Sequence, residues 1–407
     1  MLEKVGGVAL LATVISVVVA TTAWGSAKAP ARLDAAAAKT VKCGKSVTIG
    51  MAYPATGPAA SLGAPQFHWA SYAAKLWNKS HKLKVKIVQG DTQLGNSPGL
   101  AVPVAHSFAS NGKILAVVGP AGSQEVQDSI GVYKSAGLAA VSGSATRIFL
   151  TRAKPGNRRE TPKGYFFRTV PNDGQQGDAV AAWIHGKLKY KHVYIIDDEE
   201  AYSQGLADQV QNDLKKVNVN AGRNHISQQN NDFSSVITAI PSNTQVVYIP
   251  WQLPEQAQAF YQQLRASGKH AIVMGSDGTD APGTFQPNGH GYVSGFPVDF
   301  ASKTLKAFEK AHNKQPEVFG IPSYTALLVE ATAIQKACKA GHGKTTRTAV
   351  RKAVQKVKLS AKSSLLGFAV QFLTKNKGSN QGPGDMGGLA NFAIYQITSS
   401  GAYKRVG

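Results

Sequence analysis

The stretch Ile114–Gln124, ILAVVGPAGSQ, decides how this chain is read. An apolar strand, ILAVVG, runs into a turn made of Gly, Pro, Ala, Gly and Ser, and the segment that follows, QEVQDSIGVYKSAG, has helical spacing. Strand, small-residue turn and helix in that order leave backbone N–H groups of a helix start open on a loop without bulky side chains, which suits an anion. The design recurs where the short strand AAVS runs into GSATR, Gly143 to Arg147. Two such turns from one domain can face one ligand.

Outward from this unit, strand and helix patterns alternate from Ser46 onward. SVTIGMAY and LKVKIVQ are short apolar strands, separated by amphipathic stretches such as QFHWASYAAKLWNK and PGLAVPVAHSFASNG. After YFFRTVPNDGQQG a second series begins: HVYIID, SQGLADQVQNDLKKV, TQVVYIP, EQAQAFYQQLRASG and AIVMGSD. The alternation predicts an α/β protein of two doubly wound lobes, each a parallel sheet with helices on both faces. Ligands of such sheets bind beyond the carboxyl ends of the strands. GPAGSQ, GSATR, DDEEAYSQG and GSDGTD all stand there. NKGSNQGPGDMGG, Asn376 to Gly388, reads as a mobile Gly-rich surface loop before the last strand, NFAIYQI.

A chain of 407 residues fits about two domains. Residues 5–24 are almost uncharged and are followed by small residues, so 1–29 read as an export signal or as an uncleaved membrane anchor. Either places the globular part outside the cytoplasm, periplasmic or at the cell surface. Residues 30–45 read as a tether without structure. Cys43 follows Thr40-Val41-Lys42, which is no lipidation box, and Cys338 is the second of two cysteines. In an oxidising compartment the pair is a disulfide candidate, with two free thiols as the alternative. The formal charge of +22 comes from Lys and Arg scattered over polar faces, as in Lys303–Lys314 and Arg347–Lys362, without interleaved stacking aromatics. That argues against a nucleic-acid partner and for loose, salt-sensitive attraction to anionic envelope components.

Two motifs are set aside. GNSPG, Gly95 to Gly99, matches the G-x-S-x-G pattern, but Ser97 stands eight residues beyond Gln89, where the preceding strand pattern ends, and is followed by Pro98. CKAGHGKT, Cys338 to Thr345, resembles a phosphate loop but has Cys for the first Gly and follows a helix. The histidines show no metal-ligand spacing, and neither a metal nor a cofactor is indicated.

The chain resembles the exported substrate-binding proteins of ABC importers, of the branched-chain amino acid (leucine/isoleucine/valine-binding) type. The likeness rests on VTIGMAYPATGPAASLG, VVGPAGSQEVQDSIGVY, GLAAVSGSATRIFLT, YFFRTVPNDGQQG, VYIIDDEEAYSQGLA, DFSSVITAI, VMGSDG and PSYTALLVEA, in that order from Val47 to Val406. It implies a type I periplasmic-binding-protein fold and a monomeric, non-enzymatic receptor that hands a small molecule to a membrane permease. A ligand sensor of the same fold without a transport role is the alternative. Three chain crossings would form the hinge, near Arg168-Thr169, Val293–Gly295 and Gln371–Thr374. Lobe one would then comprise 46–169 plus 295–372, and lobe two 170–294 plus 373–407. On the same fold Cys43 and Cys338 would both sit at the end of lobe one far from the cleft.

The resemblance also assigns roles. Ser123, with helix-start amides, would hold the ligand carboxylate. Ser144 and Thr146, on the second turn, would hold carboxylate and ammonium through a backbone carbonyl and a hydroxyl. Tyr202 would close on the ligand from lobe two, and Asp277 would take the ammonium group. Leu62, Ala121, Gly122 and Phe319 would shape the specificity pocket. Trp251 and Gln252, in IPWQLPE, stand near where the family pocket has a Gly and then a Tyr, a departure from the branched-chain pattern. For Ser123, Ser144 and Thr146 the alternative is simple tight-turn geometry; for Trp251 it is the core.

Overall fold

The computed structural model describes residues 39–407 apart from positions 97–98, 155, 157, 290, 300–301, 315–316 and 388–391. Residues 1–29, expected to be an export signal or a membrane anchor, residues 30–38 of the tether and Ser97 lie outside the described residues. In chain order the strands are β1 (Val41–Lys42), β2 (Ser46–Tyr53), β3 (Lys84–Asp91), β4 (Ile114–Val118), β5 (Ala140–Ser142) and β6 (Phe166–Arg168). They continue as β7 (His192–Asp197), β8 (Asn220–His225), β9 (Val246–Ile249), β10 (Ile272–Gly275) and β11 (Gly291–Gly295), and close with β12 (Lys344–Thr345), β13 (Lys358–Leu359), β14 (Val370–Gln371), β15 (Ala393–Ile397) and β16 (Tyr403–Arg405).

Lobe one is built on a parallel sheet of order β3-β2-β4-β5-β6. Its centre is β4, ILAVV, in which all five residues are buried. A parallel strand covered on both faces reads as a continuous apolar run because each face feeds a core. Leu115 and Val118 join Trp69, Ile321 and Leu327 on one face, whereas Ile114 and Val117 join Phe108, Ile130 and Tyr133 on the other. Lobe two carries a seven-stranded sheet, β16-β15-β11-β10-β9-β7-β8, with β15 and β16 added antiparallel at one edge. At the opposite edge β8, NAGRNH, has no apolar run to announce it. Register with β7 holds it, together with Arg223, whose guanidinium pairs with Asp197 at 2.8 Å.

Three sequence readings change here. First, the end of the tether is structured: Val41 and Lys42 pair with Thr345 and Lys344, the Cys43 amide donates to the Gly343 carbonyl at 2.9 Å, and Cys43 is joined to Cys338 by a disulfide. The phosphate-loop look-alike is the helix end and turn that receive this strand. Second, the Gly-rich segment from Asn376 is not a free excursion. Asp385 within it forms a buried ion pair with Arg168 at 2.6 Å and accepts hydrogen bonds from Thr151, Asn172 and Gly382. Third, residues 372–387 consequently stay with lobe one, where Phe372 and Met386 enter its core. β6 ends at Arg168 and β11 at Gly295, and the chain is still held by lobe one beyond Gln371–Thr374, the Gly387 amide donating to the Gln371 carbonyl at 2.9 Å.

One buried cation organises the end of lobe one away from the cleft. Arg347 is 1% exposed. Its Nε donates to the Ile114 carbonyl at 2.9 Å, Nη1 to those of Ala109 and Ala136 at 2.9 and 3.3 Å, and Nη2 to those of Phe108 and Asn111 at 3.2 and 2.7 Å. Four of these carbonyls lie at the C-terminal ends of the helices Ala101–Ser110 and Ser123–Ser135. Such carbonyls lack intrahelical partners and carry the negative end of the helix dipole.

Candidate functional site

The carboxyl ends of the two sheets face each other across a tight cleft with a cavity of about 30 Å³, well below the range of about 300–1,000 Å³ for occupied small-ligand sites. On the lobe-one side, β4 ends in the turn that sequence singled out. Gly119 has φ +96°, and a Cβ there would come within 2.0 Å of the Ala52 carbonyl, so the turn requires glycine. Ala121, Gly122 and Ser123 then line the cleft at the start of the helix Ser123–Ser135. The Gly122 amide is already engaged by Glu125 Oε2 at 2.9 Å. Burial pushes that carboxyl up to about 7 against the hydrogen bonds it accepts. The first-turn amides of Ser123 and Gln124 have no intrahelical partner. The Ser123 oxygen accepts from the Arg147 amide at 3.2 Å, which leaves its own proton free to donate.

The second turn follows β5. Ser144 lines the cleft, and its hydroxyl donates to the Ala121 carbonyl at 2.8 Å, tying the two turns together. Thr146 does not reach the cavity wall. It is fully buried behind it, its carbonyl accepting from the Asp173 amide at 3.0 Å and its hydroxyl without a hydrogen-bond partner among the described residues. The turn is held from below by Arg168, whose Nη1 donates to the carbonyls of Ala145 and Arg147.

On the lobe-two side, Tyr202 in the first turn of the helix Ala201–Lys216 donates to Asp277 Oδ1 at 2.6 Å and lies 2.7 Å from Ser276 Oγ. Asp277 opens a short 3-10 turn after β10, and both residues line the cleft. Burial pushes the Asp277 carboxyl up to about 6, with the Tyr202 hydroxyl opposing the shift. Gln252 lines the cavity, its amide nitrogen unpartnered among the described residues. Trp251 does not. Its ring packs on Phe233 and Phe260 in the lobe-two core, its indole N–H donates to the Ile196 carbonyl at 2.7 Å, and its own carbonyl accepts from Ser276 at 3.1 Å. A two-ring side chain with one N–H is stable in a core when that donor finds a carbonyl. Trp251 therefore supports the site from behind and is not part of its wall.

Leu62 and Phe319 line the cavity with apolar surface, and three lining residues were not foreseen: Gln66, Leu94 and Gly278. A further residue missed in the sequence is Asp173 of the PND segment, fully buried beside Thr146, with both carboxylate oxygens lacking a hydrogen-bond partner among the described residues. Burial, and secondarily the charge of Asp277, push it up to about 7. Its position after β6, at a helix start on the same sheet end as the other turns, was the available signal.

The lobes touch beyond the cavity. Arg147, paired with Glu160 at 2.9 Å, donates across to the Ala201 carbonyl, close against Gly205, where any Cβ would meet the guanidinium. Gln229 of lobe two donates to the Gly95 carbonyl at 2.8 Å. The cleft is thus described in a closed arrangement.

These features agree with comparisons to known proteins. The periplasmic binding protein family matches residues 46–401. An amino acid binding protein of Pseudomonas aeruginosa is 31% identical over 308 residues, 72% of this chain and 79% of the relative. The leucine-, isoleucine-, valine-, threonine- and alanine-binding protein of the same organism is 26% identical over 307 residues, with the same coverage. Among solved structures, the branched-chain amino acid transporter substrate-binding protein LivJ of Streptococcus pneumoniae, in complex with isoleucine, superposes with a TM-score of 0.71 at 20% identity, covering 89% of this chain and 99% of that one. A two-lobe α/β architecture, a closed cleft at the strand ends and a family match over most of the chain lead to one statement: this protein belongs to the periplasmic binding protein family of solute-binding proteins.

Proposed function

We propose that the protein is an exported receptor that captures an amino acid, or a small carboxylate of similar size, between its lobes and delivers it to an ABC importer. The observation that carries this reading is the opposition across one closed cleft of uncharged donors on lobe one and a buried acid on lobe two. Ser123 and the helix-start amides meet a carboxylate, for which the helix start contributes roughly 0.3–2 kcal/mol and each hydrogen bond to the charge about 1.5–3 kcal/mol. Asp277, with Asp173 as a second buried carboxyl nearby, meets an ammonium group. Micromolar affinity requires only about 8.2 kcal/mol. The relatives' names support an amino acid, and the apolar run at residues 5–24 supports export. Because the two ends of such a ligand are held by different lobes, binding favours the closed arrangement through contacts that the open one lacks.

Thermal-shift screening of the purified protein against the common amino acids and amine-free carboxylates, followed by calorimetry, tests the assignment. At least one α-amino acid should bind in the micromolar range or tighter. Asp277→Ala should weaken it about a hundredfold, the consequence of a desolvated ammonium left unpaired. Ser123→Ala should cost less, since the amides remain. If an amine-free carboxylate binds most tightly and Asp277→Ala leaves it unaffected, the ligand has no ammonium group and the reading is wrong.

A further inference from the structure

A second cavity lies between the lobes next to the first and shares two of its walls, Leu62 and Phe319. Pro65 and Val318 of lobe one and Ala281 and Pro282 of lobe two extend its apolar lining. Asp280 lines it from lobe two and Glu317 from lobe one. Asp280 follows Asp277 by one turn, its amide donating to the Asp277 carbonyl at 3.1 Å. It is 7% exposed. No hydrogen bond or ion pair engages its carboxyl among the described residues, in contrast to Asp277 with Tyr202 and Asp385 with Arg168. An unpartnered carboxyl so nearly buried is costly unless something of opposite charge meets it. Burial and the nearby Asp277 push it up to about 7.

The charges of the cleft point the same way. Asp173, Asp277 and Asp280 are three buried carboxyls on the lobe-two side, and a single α-ammonium matches one of them. The nearby cations are committed to other acids, Arg168 to Asp385, Arg147 to Glu160 and Lys314 to Glu317. Among the described residues no three acidic, histidine or cysteine side chains converge to hold a metal ion, which leaves an organic cation. From these observations we infer that the ligand site continues past Leu62 and Phe319 into the second cavity, where Asp280 receives the cationic end of the ligand's side chain. The apolar walls take the methylene stem, and Asp280 takes the terminal ammonium or guanidinium. Glu317 lines the same cavity from lobe one but already lies within 3.7 Å of Lys314, so the incoming cation is left to Asp280. This inference rests on the amino-acid reading above and narrows it to amino acids with a basic side chain.

Lysine and norleucine share the stem and differ by the terminal amine, so the pair isolates the second cavity. By calorimetry on the purified protein, lysine should bind at least tenfold more tightly than norleucine. Asp280→Asn should bring lysine to within about twofold of norleucine and leave norleucine itself within twofold of its wild-type affinity. Should Asp280→Asn fail to fold by circular dichroism, the wild-type ratio decides alone. Norleucine, or another aliphatic amino acid, binding as tightly as lysine overturns the inference while leaving the amino-acid reading in place. Failure of every α-amino acid to bind overturns both. An unchanged lysine-to-norleucine ratio in folded Asp280→Asn places the distal cation elsewhere and overturns the assignment to Asp280.

Discussion

Removing the Asp385 carboxylate tests whether the Gly-rich segment is an integral part of lobe one. Asp385 accepts from Arg168 Nε at 2.6 Å, from Thr151 Oγ1 at 2.9 Å to each oxygen, from Asn172 Nδ2 at 3.1 Å and from the Gly382 amide at 2.8 Å. The ion-pair side chains are 0% and 2% exposed. Asp385→Ala leaves a buried guanidinium without its counter-charge, and breaking such a pair from one side costs about 3–5 kcal/mol. At about 2–4 °C per kcal/mol for a unit of 150–250 residues, the melting temperature followed by far-UV circular dichroism should fall by roughly 6–20 °C. Replacing both partners, Arg168→Met with Asp385→Leu, should cost less than Asp385→Ala alone, because no charge is then stranded. Since Arg168 also holds the carbonyls of Ala145 and Arg147, the single variant should loosen the second ligand turn and weaken binding as well. A loss of stability within about 0.5 kcal/mol, the range of ordinary surface substitutions, would refute this account and return Asn376–Gly387 to the status of a free loop.

Two other predictions concern charge and covalent closure. Asp277, raised to about 6, and Asp173, raised to about 7, hold protons in the empty folded protein that the unfolded chain releases near its ordinary carboxylate range. Their contribution to stability is therefore present below about pH 3.9 and lost as pH rises through 6 to 7. An ammonium ligand needs the ionised carboxylate, so its affinity should increase over the same window with net proton release, measurable by calorimetry in buffers of different ionisation enthalpy; a pH-independent affinity in wild type, or an unchanged pH slope in Asp277→Asn, would count against the assignment. The Cys43–Cys338 bond closes a loop spanning 295 positions, and its removal by Cys43→Ser with Cys338→Ser should cost about 2–4 kcal/mol without changing ligand affinity, because the bond lies at the end of lobe one away from the cleft. Two free thiols by mass analysis of the alkylated, unreduced protein would contradict the bond itself.

What the sequence revealed follows from which interactions are local. The β4 turn was legible because a fully buried parallel strand is an unbroken apolar run and the turn after it consists of small residues. The strands β2, β7, β9 and β10 were legible on the same grounds. Edge strand β8 was not, because its pairing with β7 and the Arg223–Asp197 contact replace apolar burial. That the chain stays with lobe one beyond Gln371–Thr374 was hidden because the partner of Asp385 lies 217 residues away, and nothing in a Gly-rich run announces a buried acid. Trp251 shows the reverse limit: a position near the expected pocket does not say which side of the backbone the ring takes, and a carbonyl waiting for its N–H decided for the core. Arg347 left no mark at all, since its partners are main-chain carbonyls and any sequence supplies those.

That last residue has a mechanical and electrical consequence for the ligand. A fixed cation terminates the negative pole of the helix Ser123–Ser135, while the positive pole opens toward the cleft. The helix is therefore grounded at one end only. Arg347 has carbonyl dipoles in place of a mobile counter-ion, so salt in the medium has little to displace there. An incoming carboxylate completes a circuit whose far terminal is already wired at the Ala136 carbonyl, by a residue that follows the strand paired with the start of the folded chain.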